Sequence, residues 1–442
     1  MRVSVIGAGY LGAVHAAAMA SIGHDVVAVD IDAARIARLQ AGETPFHEPG
    51  FEPLLRTGLN SGRLRFTTDL SEVATARVHF IAVGTPQVAG GNAADLSYVD
   101  AAVTDLLPHL GAGALVVGKS TVPVGTAARL AELVEGAGRG AGLAWNPEFL
   151  REGYAVADTL KPDRLVYGVR DAPGAAVSAA VAEQLLDEVY APIVASGTPK
   201  VVTDTATAEL VKVAANAFLA TKISFINAMS EIAEVTGADV TTLADAIGYD
   251  ERIGRRFLNA GVGFGGGCLP KDIRAFTARA EELGRGESVA FLKEVDAINL
   301  RRRDRVVELV LDSLGQRRYT GRVAVLGVTF KPDSDDIRDS PALDVVVRLR
   351  GLGVDVVVTD PRGLDNARAM HPQLTYVATA EEALADVDVA VLVTEWRDYR
   401  ELDPVAMARL AGAAPTIIDG RNVLQPAAWR AAGWTYRGLG RP

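Results

Sequence analysis

Apolar positions along the 442-residue chain fall into short blocks separated by amphipathic stretches, and the pattern changes character twice. Over the first third, residues 3–6, 26–30, 78–83 and 115–117 are β-branched runs of strand length. Ala- and Leu-rich segments of helical period lie between them, so the pattern predicts βαβ units and a buried parallel sheet. The alternation stops near Ala195-Ser196-Gly197-Thr198-Pro199, which reads as a linker. From Lys200 to Thr236 there is neither Gly nor Pro, and Leu210, Val213, Ala214, Ala217 and Phe218 recur at helical spacing. One long, largely buried helix ended by Gly237 is expected there. A second helix is expected over 288–314, with Arg301, Arg302, Arg303 and Arg305 forming a solvated face without a function. After a polar turn at 315–321, residues 322–326, 354–360, 388–394 and 416–419 predict a second, smaller α/β domain. The expected division is therefore 1–197, 198–314 and 315–442: α/β, helical middle, α/β.

Composition narrows the function classes. Hydrophobic residues at 49% and charged residues at 23% give ample core, which excludes wholesale disorder and a small disulfide scaffold. The net charge of −10 excludes the broad basic footprint of a nucleic-acid binder, so local cations or backbone N–H groups must meet any anionic ligand. The single cysteine, Cys268, cannot form an intrachain disulfide and fits a reducing compartment, so a cytoplasmic protein is expected. Arg2 followed by apolar residues up to Ala18-Met19-Ala20 imitates a signal peptide, but Gly7, Gly9, Gly12 and His15 interrupt it. No apolar run approaches the roughly 18 residues of a membrane span.

The glycines have a better use. Gly7-Ala8-Gly9-Tyr10-Leu11-Gly12 follows a predicted strand and opens a helix, and Asp30 ends the next strand. Gly7 permits a tight turn, Gly9 lets a pyrophosphate approach the backbone, and Gly12 allows helix and strand to pack closely. Asp30 is placed to bond ribose hydroxyls and to repel a 2′-phosphate, which favours NAD over NADP. The string Gly113-Ala114-Leu115-Val116-Val117-Gly118-Lys119-Ser120 matches a P-loop, but its middle is itself a strand and Pro123 interrupts the helix that should follow. We read the match as a coincidence, with a ligand-facing loop at Ser120-Thr121-Val122-Pro123 in its place. Gly263-Phe264-Gly265-Gly266-Gly267-Cys268-Leu269-Pro270-Lys271-Asp272 packs four glycines into five positions just before the thiol. Lys271 is placed to favour a thiolate, so Cys268 reads either as a nucleophile or as a small buried hydrophobe. Lys212 and Asn216 share one helix face in apolar company, which points to a ligand-facing pair rather than a solvated stripe. The six histidines show no metal-ligand spacing, so no metal is expected.

Taken in order, these segments resemble the UDP-glucose/GDP-mannose dehydrogenase family over nearly the whole length. The resemblance also rests on Asn146-Pro147-Glu148-Phe149-Leu150-Arg151-Glu152-Gly153, Arg252-Ile253-Gly254, Phe257-Leu258-Asn259-Ala260-Gly261, Phe330-Lys331 with Arg338, and Asp419-Gly420-Arg421. The chain departs from the family at Gly267, where Ser is usual. The resemblance implies two Rossmann-like doubly wound domains, for NAD and for the UDP-sugar, joined by a long central helix and a helical dimerisation domain carrying the thiol loop. It implies a four-electron oxidation of a nucleotide sugar by NAD, with UDP-glucose preferred over GDP-mannose or another sugar by the 252–261 segment. The implied catalytic residues are Cys268, Lys212, Asn216, Asp272, Thr121 and Glu148, with Asp272 and Glu148 as candidate bases. By the same resemblance NAD meets Gly7, Gly9, Tyr10, Leu11, Gly12, Asp30, Arg35, Thr85, Thr121, Glu152, Lys271 and Arg338. The substrate meets Glu148, Phe149, Leu150, Arg151, Glu152, Lys212, Asn216, Arg252, Phe257, Leu258, Asn259, Ala260, Gly261, Gly265, Lys331 and Arg421. A homodimer or higher homo-oligomer is implied, with no nucleic-acid or membrane partner. Different in kind are a non-catalytic NAD-binding sensor and an ATPase built on residues 113–120.

Overall fold

The computed structural model describes residues 1–171 and 175–442 and separates into two compact units. The first comprises Met1–Ala215 with Ala278–Leu283, the second Asn216–Thr277 with Gly284–Pro442. The first unit holds eight strands: β1 (Arg2–Ile6), β2 (Asp25–Val29), β3 (Leu64–Thr67), β4 (Val78–Ile81), β5 (Leu115–Gly118), β6 (Gly142–Trp145), β7 (Leu165–Gly168) and β8 (Lys200–Thr203). They lie in the order β3-β2-β1-β4-β5-β6-β7-β8, parallel except where β6 meets β7. The second unit holds β9 (Arg322–Leu326), β10 (Asp355–Thr359), β11 (Thr375–Tyr376), β12 (Val389–Leu392), β13 (Thr416–Asp419) and β14 (Thr435–Gly438). Their order is β11-β10-β9-β12-β13-β14, all parallel. Valine and isoleucine dominate the inner strands, which are buried on both sides, whereas the edge strands β8 and β11 are partly exposed.

The helices that matter for the site are α1 (Tyr10–Ser21), α2 (Thr126–Gly136), α3 (Thr205–Thr236), α4 (Leu269–Glu282) and α5 (Phe291–Leu314). Two expectations need correction. The residues expected to begin the long helix, Lys200–Thr203, instead form the edge strand β8; Val201-Val202 are β-branched and suit a strand, and the helix starts at Thr205. The basic run on α5 is not a solvated face. Arg302 is 1% exposed and reaches Glu231 and Glu234, while the buried Arg303 meets Asp339 and Asp344. A helix turns 100° per residue, so four arginines in five positions cannot share one face, and two of them enter the interior with carboxylate partners.

Candidate active site

In the first unit the glycine motif sits where β1 feeds α1. Gly7 has φ +96°, and a Cβ there would meet Ala82 O and Val83 Cγ1 at 2.9 Å. A Cβ on Gly12 would overlap the Gly7 carbonyl, so only glycine lets α1 start this close to the strand. Gly9 caps α1 without a side chain, and the space its Cβ would take is open. Asp30, just past β2, accepts from Ala8 N–H at 2.7 Å and from Asp32 N–H at 3.0 Å. Arg35 donates to the same carboxylate at 2.9 Å and also faces Asp32. An open glycine, uncapped helix N–H groups and an acid at the second strand fit a dinucleotide such as NAD. Next to this mouth, the Thr85 hydroxyl donates to Thr121 O at 2.8 Å, and Ser120 Oγ donates to Val83 O at 2.7 Å.

The loop 146–153 leaves β6 beside β5, where Gly118 exists because any Cβ would strike the Trp145 ring. Glu148 pairs with the buried Lys212 of α3 at 2.9 Å and accepts from Leu150 N–H at 2.6 Å. The Lys212 ammonium also lies 5.6 Å from the centre of the Phe149 ring, whose face Arg164 covers. Arg151 instead turns to Asp158, forked at 2.6–2.9 Å.

In the second unit every glycine of the thiol loop lies against a neighbour. At Gly263, φ +100°, a Cβ would strike the Asn299 side chain of α5. Asn299 in turn pairs with both backbone groups of Phe264, accepting at 2.7 Å and donating at 2.9 Å. Gly265 rests on Asp339 O, Gly266 (φ +85°) on the Phe330 ring, and Gly267 on the Arg338 guanidinium. A Cβ at Gly267 would displace only the guanidinium end of the 60% exposed Arg338 side chain. Cys268 is exposed, and its carbonyl accepts from Asp272 N–H at 3.0 Å at the start of α4. The alternative of a buried hydrophobe is therefore overturned. One turn on, Asp272 is 3% exposed, bridged to Asn216 Nδ2 and to Lys271 Nζ at 2.6 Å each. Asn216 and Lys212 are both buried, so the helix face they share is not a solvated stripe.

Family models match three stretches: the UDP-glucose/GDP-mannose dehydrogenase family's NAD binding domain (residues 1–216), central domain (206–301) and UDP binding domain (324–426). A UDP-glucose 6-dehydrogenase of Rhizobium meliloti is 41% identical over 447 residues, covering 100% of both chains. Another, from Pseudomonas aeruginosa, is 41% identical and covers 100% of this chain and 98% of its own. A solved UDP-glucose dehydrogenase from Pyrobaculum islandicum, 38% identical, covers 100% of this chain and 98% of its own with a TM-score of 0.89. The chain belongs to the UDP-glucose/GDP-mannose dehydrogenase family.

Within that family assignment, the structure brings together Gly7, Gly9, Gly12, Asp30 and Arg35, then Thr85 with Thr121, Glu148 with Phe149 and Lys212, and Asn216 with Asp272 and Lys271. Tyr10 and Leu11 form the first turn of α1. In the 257–261 segment, Phe257 takes φ +68°, and Arg255 bonds Leu258 O and the Asn259 side chain. Ala260 O receives Asn422, and Gly261 N–H donates to Asn227. Arg421 points inward at Val393 O, Gly263 O and Phe330 O, 2.7–3.1 Å away, and Lys331 lies near the Phe330 ring. Arg252 stands apart, 89% exposed and forked onto Asp250. Arg338 is forked onto Asp336.

The structure also displays residues that sequence reasoning missed. Buried Glu48 accepts from Gly153 N–H and Ala155 N–H at 2.7 Å each and from the Tyr10 hydroxyl. It thereby ties the end of the 146–153 loop to the glycine motif, and burial together with this carboxylate raises the Tyr10 pKa. Glu209 accepts from Gly125 N–H at 2.8 Å and Ala127 N–H at 2.6 Å, capping α2; burial moves its pKa up to about 7. Its signal was present, three residues before Lys212 on the same apolar helix. Glu48, in a loop without periodicity, carried none. Finally, residues 113–120 form no phosphate cradle. β5 occupies the middle of the string, α2 begins only at Thr126, and Lys119 is buried.

Proposed function

We propose that the chain is an NAD-dependent UDP-glucose 6-dehydrogenase that oxidises the sugar's primary alcohol to a carboxylate, giving UDP-glucuronate. The observation that carries the mechanism is the exposed Cys268 one helical turn before buried Asp272, itself held by Asn216 and Lys271. Residues 1–197 serve the cofactor, 198–314 the thiol chemistry and assembly, and 315–442 the UDP-sugar. When bound, NAD supplies the hydride acceptor for each of the two oxidations. Gly7, Gly9 and the first turn of α1 receive its pyrophosphate, Asp30 its ribose, and Arg35, Thr85, Thr121, Glu152, Lys271 and Arg338 line the remainder. Glu148 or Asp272 takes the alcohol proton, and Lys212 donates to the developing alkoxide. The Cys268 sulfur then adds to the aldehyde carbon, and Asn216 and Lys212 donate to the oxygen of the resulting thiohemiacetal. Loss of hydride from that carbon leaves a thioester. Water attacks it, Asp272 accepts the water's proton, and the Cys268 thiol departs. In balance, one alcohol and one water are consumed per carboxylate, two hydrides pass to two NAD and three protons are released.

The loop 148–152, the segment 257–261, Gly265, Lys331, Arg252 and Arg421 hold the nucleotide sugar, its diphosphate meeting cations. Assembly as a homodimer is supported by Phe218, Phe225 and Ile232, exposed at seven-residue spacing on α3, and by the outward Arg252. Among the described residues no helix is long and apolar enough to cross a membrane. A single thiol that has to stay reduced supports a cytoplasmic setting.

The test counts NADH formed per sugar consumed across a panel of nucleotide sugars. Two per UDP-glucose is expected. Cys268→Ala should lose carboxylate formation by about a thousandfold or more. A wild-type yield of one, or full carboxylate production by Cys268→Ala, would sink the mechanism; turnover of a different sugar alone would reassign the substrate.

A further inference from the structure

The lysine that completes the false P-loop has an unassigned place in the first unit. Lys119 is buried, and its ammonium donates to Asn146 Oδ1 at 3.0 Å, to Asn146 O at 3.4 Å and to the Tyr190 hydroxyl at 3.3 Å. Tyr190 closes the triangle by donating to Asn146 Oδ1 at 2.7 Å, and Asn146 Nδ2 donates to Val166 O at 2.9 Å. The rings of Phe80 and Tyr190, each 5.8 Å away, wall the cation. Asn146 is the residue from which the chain runs through Pro147 to Glu148, so the network grips the root of the loop that carries Glu148. No carboxylate touches Lys119 in this network; its acceptors are neutral. Its charge is felt further off. Burial pulls the amine down to about 8, Glu148 holds it up, and Lys212 pushes it down. The remaining charge neighbour is His15 of α1, whose imidazole Lys119 helps to keep neutral.

We propose that Lys119 is a positioning residue for the oxidation: it pins Asn146 at the root of the Glu148 loop and places a positive charge within reach of the Glu148–Lys212 ion pair. The proposal rests on the dehydrogenase reading for its kinetic consequences, but the network itself does not. With the proton on, Lys119 offers three donors to three oxygens and a positive charge beside the Glu148–Lys212 pair. As pH rises through about 8 the proton leaves and both effects are lost.

Two measurements decide it. In steady-state kinetics from pH 6.5 to 9.5, Lys119→Met should lower kcat about tenfold or more while the KM for NAD changes less than about twofold. The wild type is expected to show an alkaline limb near pH 8, and that limb should flatten in the variant. Tyr190→Phe, which removes one acceptor and a donor to Asn146, should move kcat the same way by a smaller factor; it decides the question if Lys119→Met does not fold. Unchanged kcat and an unchanged alkaline limb would overturn the proposal. Independently of any substrate, the Lys119 amine should be followed by NMR in lysine-labelled protein. Its midpoint should lie near 8, fall in Glu148→Gln and rise in Lys212→Met. A midpoint at the ordinary lysine value of about 10.4, indifferent to both changes, would overturn the electrostatic half. If the wild type leaves UDP-glucose untouched while the amine titrates as expected, the enzymatic reading fails and the network stands.

Discussion

The two sheets share one winding and put it to different uses. For six strands each runs third, second, first, fourth, fifth, sixth. Gly7 and Gly327 each follow the first strand with positive φ, +96° and +108°, and donate at 2.8 Å to the carbonyl that ends the second strand. Asp30 and Asp360 follow those second strands, and each accepts from a backbone N–H of the glycine turn at 2.7 Å. There the likeness ends. Where the first turn has Gly9, with open space above it, the second has Thr329, fully buried, its hydroxyl on Asp360 at 3.2 Å. Trp396 Nε1 reaches the same carboxylate at 3.2 Å, and the N–H groups of Thr329, Arg362 and Gly363 complete its shell at 2.7–3.1 Å. Asp30 keeps one cation, Arg35, and two N–H donors. An aspartate after the second strand thus borders open space where the turn carries glycine, a receptor on the function proposed above, and is a brace where Thr329 and Trp396 seal it. Winding alone does not make a dinucleotide site.

The brace should break first and hardest. Asp360→Ala strips one acceptor from six donors inside the second unit, and breaking a buried, charged hydrogen-bond network costs about 3–5 kcal/mol. We expect urea unfolding of the β9–β14 sheet to shift by that order. The KM for UDP-glucose should rise as the Phe330-Lys331 turn loosens, while NAD affinity stays near wild type. A loss below about 1 kcal/mol would mean that Asp360 is no brace.

A pH titration separates the units next. The first unit buries neutral His15, His24 and His79, each with its pKa lowered chiefly by burial, His79 down to about 4. A histidine that binds its proton less readily when folded contributes its full stability above pH 6.5, lost as pH falls toward 4; His79 alone represents roughly 3 kcal/mol. The second unit has only His371. Its buried Asp419, raised by burial, has the opposite sign: its contribution is present at low pH and lost as pH rises. Between pH 6.5 and 4, amide exchange should therefore quicken in β1 and β4, where Ser4 meets His79 at 2.8 Å, before it quickens in β12 and β13. Equal acceleration in both sheets would refute the asymmetry.

Much of this comparison was legible in the sequence, because its signals are local. The runs behind β1, β2, β4 and β5, the Gly7–Gly12 spacing and the glycines before Cys268 all lie within a few residues of the chemistry they serve. The two-residue β11 and the strand β14 escaped because neither has an apolar run long enough to stand out. Arg302 and Arg303 looked solvated because their carboxylates come from about 70 and 40 residues away, at Glu234 and Asp344. Glu48 and Lys119 act on backbone groups 105 and 27 residues distant, for which sequence has no period. Asp360 was read only as the end of a strand. Its role depends on Trp396, which folding alone brings to it.

The gentlest change tests the receptor. Asp30→Asn keeps the size of the side chain and one acceptor oxygen for Ala8, so the fold should hold. What it removes is the anion that neutralises Arg35 and that, on the proposed function, accepts a ribose hydroxyl and repels a 2′-phosphate. A hydrogen bond to a charged group contributes about 1.5–3 kcal/mol, so NAD affinity should fall by about ten- to a hundredfold at unchanged stability. NADP should gain relative to NAD, since Arg35 loses its 2.9 Å partner and is left with Asp32. Competition binding of NAD and NADP to both proteins reads the two effects together. If NAD affinity fell with no gain for NADP, Asp30 would act on the ribose without discriminating against the phosphate. If neither changed, the open acid would be as structural as the sealed one, and the difference between the sheets would lie in Gly9 alone.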